Sequence, residues 1–321
     1  MSRKLIAVVF SDLHLHVYNQ FNENNRRLHT AFKVMEILWV KGVPVLFSGD
    51  MFHEDNHISN KLLNLITIKY NSARPRYPII GISGNHDMCE MNNYDNISPS
   101  LYTSLCRMFP NCFHNIDWGH FILNKETIVF GIPYLTYNSG LHEALDLIRN
   151  GRNYKKYPKR ILLIHTDLHG AKDTDNRQIN SVENIDRNMS KFFKGFDLVF
   201  SGHIHKPQRL TPKIIMVGAP MQQRKSDMFG EFGYWEVFDD MTYKFIPLDM
   251  PQFKLYDPAI DETDEYHYWI PINKQEEYEE QQLEKRFTNN VSRVKLAQRY
   301  CKEKGIKSSQ KVNALKDILN D

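Results

Sequence analysis

Five apolar runs in this chain end in residues that can hold a metal ion or move a proton. They are Val8-Val9-Phe10-Ser11-Asp12-Leu13-His14, Val45-Leu46-Phe47-Ser48-Gly49-Asp50, Ile79-Ile80-Gly81-Ile82 leading to Gly84-Asn85-His86-Asp87, Ile161-Leu162-Leu163-Ile164-His165, and Leu198-Val199-Phe200-Ser201-Gly202-His203-Ile204-His205. A lone histidine at a strand end is ordinarily a satisfied surface or core residue. Five strands ending this way, in the order DxH, GD, GNHD, H and GHxH, are not independent accidents. The third stretch is the centre of the set. Its glycine lets the backbone turn at the carboxyl end of a strand, where open α/β sheets place their sites.

Carboxylate, imidazole and amide oxygen suit Mn²⁺, Zn²⁺ or Fe²⁺. No thiolate joins them, which argues against a closed structural zinc site. The candidates are Asp12, His14, Asp50, Asn85, His165, His203 and His205. They outnumber one tetrahedral shell and suit two ions sharing a carboxylate. Two ions ~3.5–4 Å apart polarise a phosphoryl group and stabilise an in-line displacement. His86 is then spare. A histidine beside such a centre is a natural general acid for a leaving alkoxide.

Short β-branched runs and helical periodicities must position these groups. Residues 5–10, 43–48 and 79–82 read as buried strands. Residues 22–41 and 58–70 read as amphipathic helices, and 101–109 as a helix stopped by Pro110. The order β-α-β-α-β-α implies a parallel sheet covered by helices. Residues 112–116, 119–123 and 127–132 then read as strands that continue into a second sheet. A helix over 141–148 and buried strands over 160–165 and 197–202 follow. Residues 209–217, 233–238 and 243–248 read as a closing β meander.

Length and composition set the bounds. A chain of 321 residues holds one large α/β domain, or one with a small companion. With 41% hydrophobic and 25% charged residues it is an ordinary globular chain. A formal net charge of +3 argues neither for nor against a nucleic-acid partner, so local distribution has to decide. The four cysteines, Cys89, Cys106, Cys112 and Cys301, form no CxxC pair, and free thiols in a reducing compartment are expected. The N-terminal apolar run is too short for a signal peptide, and no run approaches the ~18 apolar residues of a membrane span. The expected location is the cytoplasm, of a bacterium or a phage-infected cell, with no membrane partner. Composition shifts after Pro251. Acidic stretches over 261–265 and 276–280 give way to a basic run from Lys285 onward. Three parts are expected: a catalytic domain over 1–255, a short acidic capping or linker segment over 256–284, and a basic helical tail over 285–321.

Taken together, Ser11-Asp12-Leu13-His14, Gly49-Asp50, Gly84-Asn85-His86-Asp87, His165 and Gly202-His203-Ile204-His205 resemble the motif set of the calcineurin-like metallophosphoesterase superfamily. The resemblance covers residues 5–205. It implies a four-layer α/β/β/α sandwich with metals at the strand ends, here with a small C-terminal α or α+β extension. It also implies that Asp12, His14, Asp50 and His205 hold one ion. Asp50, Asn85, His165 and His203 would hold the other, with Asp50 bridging.

The flanks are similar to a narrower group, the SbcD family of nuclease subunits from double-strand-break repair complexes. The similar stretches are Gly49-Asp50-Met51-Phe52-His53, Gly202-His203-Ile204-His205-Lys206-Pro207-Gln208, Gly218-Ala219-Pro220, Phe229-Gly230-Glu231 and Gly233-Tyr234-Trp235. In that family the histidine matching His53 lies near the catalytic histidine matching His86, so both carry over as catalytic residues. The chain departs from the family in two respects. His16 stands where a glycine is common, and the segment after residue 250 is short for a capping domain plus partner-binding helices. The size suits a compact phage version.

This resemblance implies a DNA exonuclease and endonuclease of recombination, repair and replication, with two divalent ions and Mn²⁺ as the expected metal. Expected partners are DNA and an SbcC-like ATPase, with a homodimer left open. A phosphatase or phosphodiesterase acting on a small phosphoester is the alternative, and a non-catalytic scaffold a further one. Complete ligands plus His86 argue against the scaffold. His57, His114, His120, His142 and His267 read as ordinary residues. The run Tyr266-His267-Tyr268-Trp269 reads as a small aromatic core rather than a base-stacking platform.

Overall fold

The structure is a computed structural model. It describes residues 3–17, 26–53, 58–88, 100–135, 139–179, 189–228, 230–256 and 267–271. In chain order β1 (Leu5–Phe10), α1 (Arg26–Trp39), β2 (Val45–Phe47), α2 (Asn60–Tyr70), β3 (Ile79–Gly81), α3 (Leu101–Met108) and β4 (Phe113–Asn115) alternate. Then come β5 (His120–Ile122), β6 (Thr127–Ile132), α4 (Ser139–Asn150), α5 (Arg152–Lys156), β7 (Lys159–His165), α6 (Met189–Phe192) and β8 (Leu198–Gly202). The strands β9 (Gln208–Arg209), β10 (Ile214–Met216), β11 (Gly233–Phe238), β12 (Tyr243–Pro247), β13 (Phe253–Tyr256) and β14 (Tyr268–Pro271) complete the order.

Two six-stranded sheets result, ordered β12-β11-β1-β2-β3-β4 and β5-β6-β7-β8-β10-β9. In the first, β1 to β4 are parallel, as the βαβ alternation requires, while β11 and β12 add antiparallel strands at one edge. Strand side chains alternate between faces, and here both faces are buried. Val8 and Phe10 of β1 pack into one core with Leu28, Ala31, Met35 and Leu38 of α1. Ala7 and Val9 face the other way, into a core shared with Ile161, Leu163, Phe200 and Ile215 of the second sheet. The far face of that sheet carries Leu162, Ile164 and Val199, packed with Leu141, Ala144 and Leu145 of α4. Helix, sheet, sheet and helix therefore stack as four layers around three apolar cores. Local caps agree with the expected helix starts. Ser59 accepts the Leu62 N–H at 3.2 Å before α2, and Ser100 accepts the Thr103 N–H at 2.9 Å before α3.

Two expectations from periodicity fail. The run around 113–115 belongs to the first sheet, pairing in parallel with β3, and not to the second. The closing segments are not one meander either: β9 and β10 join the second sheet, and β11 and β12 join the first. Alternation marks a strand but does not say which sheet edge is open to receive it. Residues 22–25 of the first expected helix lie outside the described residues.

The chain divides into two compact units, one of residues 1–253 with 266–268, the other of 254–265 with 269–321. In the first, Tyr268 is buried, its ring 5.3 Å from that of Phe253 and its hydroxyl 3.1 Å from Thr30 Oγ1. It is an aromatic core residue; Tyr266 lies outside the described residues. So do the tail over 285–321 and all of the 256–284 segment except Tyr256 and 267–271. Cys106 and Cys112 are free thiols, and Cys89 and Cys301 lie outside the described residues. No helix among the described residues is long and apolar enough to cross a membrane.

Candidate metal centre

The ligand candidates come from both sheets, so the centre lies where their strand ends meet. After β1 and β2 the two motif loops run side by side: Asp12 N–H donates to the Gly49 carbonyl at 2.9 Å and Leu15 N–H to the Met51 carbonyl at 2.7 Å. Asp12, His14, Asp50 and His203 all have positive φ, at 53°, 49°, 62° and 86°. Left-handed backbone costs an L-residue about 1–2 kcal/mol. Four such residues in one spot mean that the surrounding structure enforces the geometry. These bends follow β1, β2 and β8 and turn the chain out of the strand direction where Asp12, His14, Asp50 and His203 stand.

Two sets of donors converge. Asp12, His14 and His205 bring ligating atoms within 4.8 Å of one another, and so do Asp50, His165 and His203. Asp50 Oδ2 stands between the sets, 3.8 Å from His14 Nε2 and 3.3 Å from His165 Nε2. Asn85 Oδ1 completes the second set, 3.0 Å from His165 Nε2 and 2.8 Å from His203 Nδ1. All seven candidates are thus gathered in one place, with Asp50 Oδ2 between the two sets.

His86 and His53 are also brought together, with ring planes 5° apart and centroids 5.9 Å apart. His86 meets His14 edge-on at 5.1 Å, and a ring nitrogen of His86 lies within 4.8 Å of ligating atoms on His14 and Asp50. His86 therefore borders the donors. His16, the departure from the family pattern, packs against His53 at 4.9 Å. His14, Asp50, His53, His86, His203 and His205 line a cleft of about 280 Å³.

A shell of buried groups holds these side chains. His165 Nδ1 donates to the Ser48 carbonyl at 2.7 Å; a carbonyl only accepts, so Nε2 is the nitrogen turned to the site. Asp12 Oδ1 accepts the His203 backbone N–H at 3.0 Å, tying the first sheet to the second. Asp87 accepts backbone N–H groups from Gly84, Asp50, Met51 and Phe52, at 2.9, 2.9, 3.2 and 3.0 Å. Asp227 stands 3.7 Å from His205 Nδ1 and accepts the Gln223 N–H at 2.9 Å. Gln223 Nε2 in turn donates to the Asp12 and Leu13 carbonyls, at 3.2 and 3.1 Å. Neither Asp87 nor Asp227 has a role legible in the sequence. Asp87 stands in a motif but touches backbone only, and Asp227 is a lone acid in a short turn. Ser48 acts through its carbonyl, which leaves no mark on residue type.

The electrostatics favour a cation. Asp12 and Asp50 are buried carboxylates, at 0% and 2% exposure, and an isolated buried charge is costly. Burial, with Asp50 beside it, raises Asp12 above its usual range despite His165 and His205. Asp50 is held far below its range: burial opposes ionisation, but His165, His14 and His86 outweigh it. Burial disfavours charge on His165, yet Asp50 and Asp12 push that ring up to about 9. His14 and His203 are lowered, chiefly by burial. His205 is raised because its contact with Asp227 overcomes burial. Two buried carboxylates, one amide oxygen and four imidazoles around one space, with no thiolate, suit divalent ions of intermediate hardness.

The calcineurin-like phosphoesterase family model matches residues 7–207, more than half the chain. The D component of the nuclease SbcCD of Staphylococcus epidermidis is 26% identical over an alignment 212 residues long that covers 59% of this chain and 54% of that protein. DNA double-strand break repair protein Mre11 of Methanococcus maripaludis is 25% identical over an alignment 211 residues long that covers 62% of this chain and 51% of that protein. The chain spans about half the length of these curated relatives. The crystal structure of the calcineurin-like phosphoesterase YfkN from Bacillus subtilis superposes with a TM-score of 0.44 at 11% identity, covering 77% of this chain and 89% of that one.

Proposed function

The chain belongs to the calcineurin-like phosphoesterase family, and from that premise we propose that it is a metal-dependent DNA nuclease that cleaves phosphodiester bonds, exo- and endonucleolytically. The family is one of hydrolases, and the donor sets suit divalent ions. The observation that carries the reading is a carboxylate, Asp50, placed between the two donor sets, with a histidine at its edge, His86, stacked on His53. The two curated relatives named a nuclease and a double-strand-break repair protein support DNA over a small phosphoester.

Asp12, His14, Asp50 and His205 would hold one ion, and Asp50, Asn85, His165 and His203 the other, both Mn²⁺ in this reading. When bound, such a pair supplies Lewis-acid stabilisation of a phosphoryl group and a nucleophile at neutral pH. His86 holds a ring proton and delivers it to the leaving-group oxygen of the cut strand. His53, stacked on His86, fixes that ring's plane. Asp227 orients His205, and the Ser48 carbonyl orients His165, so neither imidazole must reorganise during turnover. The partner in this reading is an SbcC-like ATPase, met through the basic tail.

The purified chain, incubated with Mn²⁺ and linear duplex DNA, is expected to degrade it. Binding should weaken steeply between low and physiological salt through counterion release. Good hydrolysis of bis-p-nitrophenyl phosphate, with DNA left intact both with and without the ATPase, would establish the small-phosphoester reading instead.

A further inference from the structure

One cation in the cleft has no part in the chemistry above. Arg224 lines the same cleft as His14, Asp50, His86 and His205, together with Thr174 and Asp173. Its side chain is 56% exposed, although its inner edge is anchored. Nε pairs with the buried Asp227 at 3.5 Å, and Nη2 donates to Thr174 Oγ1 at 3.2 Å. Nη1 has no protein partner among the described residues. The neighbouring acid, Asp173, is partly engaged in its own turn, where Oδ1 accepts the Arg177 N–H at 2.8 Å.

A guanidinium held at two points keeps its planar fork oriented, which is the arrangement that recognises phosphate oxygens. Its outer edge stays solvated in the cleft wall, within reach of a bound ligand.

We propose that Arg224 is a substrate-binding residue that takes a phosphate flanking the scissile one, and so selects polynucleotide strands over substrates with a single phosphoryl group. Thr174 holds the fork in place. The inference rests on the phosphodiesterase reading of the metal centre and adds the number of phosphates the cleft engages. It also explains how a chain with a net charge of only +3 gains a hold on a polyanion: the cation stands beside the reacting centre.

The test compares Arg224→Gln and Arg224→Lys with the wild type on two substrates with Mn²⁺, a single-stranded DNA oligonucleotide and bis-p-nitrophenyl phosphate. One charge-assisted phosphate contact corresponds to roughly 10- to 100-fold in binding. The KM for DNA should rise by about that factor in Arg224→Gln, at least tenfold more than any change for the small diester, with partial rescue in Arg224→Lys. In chelator, oligonucleotide affinity measured by anisotropy should fall likewise. The salt slope should drop by about one. Equal losses on both substrates, with lowered metal content, would mean that Arg224 acts only through Asp227 and His205, and would overturn the proposal. So would DNA affinity and salt slope equal to wild type. A wild-type enzyme that hydrolyses the small diester and spares DNA refutes the nuclease reading separately, and the anisotropy arm still decides for or against Arg224.

Discussion

Asp50 and Asp87 hold each other's loops. Asp87 Oδ2 accepts the Asp50 backbone N–H at 2.9 Å, and Asp50 Oδ1 accepts the N–H of His86, the residue before Asp87, at 2.9 Å. The second and third motifs are therefore one structural piece. Oδ2 of Asp50 is left to face both donor sets.

Asp87→Ala strands up to four buried N–H groups. At about 1–3 kcal/mol for a buried unsatisfied group, and less than additively, the loss should be on the order of 3–5 kcal/mol. Asp87→Asn can keep its oxygen where three donors converge and should recover most of this. Thermal unfolding in chelator measures the effect without metal loss. An alanine variant as stable as wild type would contradict the clamp.

The bridging assignment predicts that Asp50→Ala loses both ions, whereas His205→Ala weakens mainly one. Elemental analysis of the dialysed proteins decides it. Two ions retained at full occupancy in Asp50→Ala would refute the assignment.

His86→Ala should keep its metals and its DNA affinity while turnover falls on the order of 10²–10⁴-fold, the usual worth of general acid catalysis. His53→Ala should fall less, because it orients the donor and does not replace it. Loss of metal from His86→Ala would make His86 a ligand, as its closeness to His14 and Asp50 allows.

Gly84 lies where a Cβ would strike Asp50 Oδ1 and the Asp50 backbone nitrogen. Gly84→Ala should thus displace the bridging carboxylate. Metal affinity is expected to weaken about 10- to 100-fold, the range seen when support around a ligand is disturbed. Circular dichroism should stay native. Wild-type affinity by metal titration would show that the loop yields at no cost.

Deleting residues 285–321 should leave Mn²⁺-dependent activity largely intact and abolish association with an SbcC-like ATPase. Undiminished co-purification of the truncated chain with that partner would exclude a docking role for the tail.

What the residues disclosed without coordinates was the set of candidate donors. Asp12, His14, Asp50, Asn85, His165, His203 and His205 each stand at or just after a short continuous apolar run, the mark of a strand buried on both faces, and such a run shows where its strand ends. The parallel β1-β2-β3 core was legible for the same reason, since alternating strands and helices leave little topological choice. Tertiary structure alone decided which sheet received β4, β9 and β10, because pairing depends on which edge is open. It alone also revealed Asp87, Asp227, Gln223 and the Ser48 carbonyl as supports. Asp87, Gln223 and the Ser48 carbonyl act through backbone N–H and C=O groups, which every residue carries whatever its side chain, and Asp227 reaches the His205 ring from a distant segment.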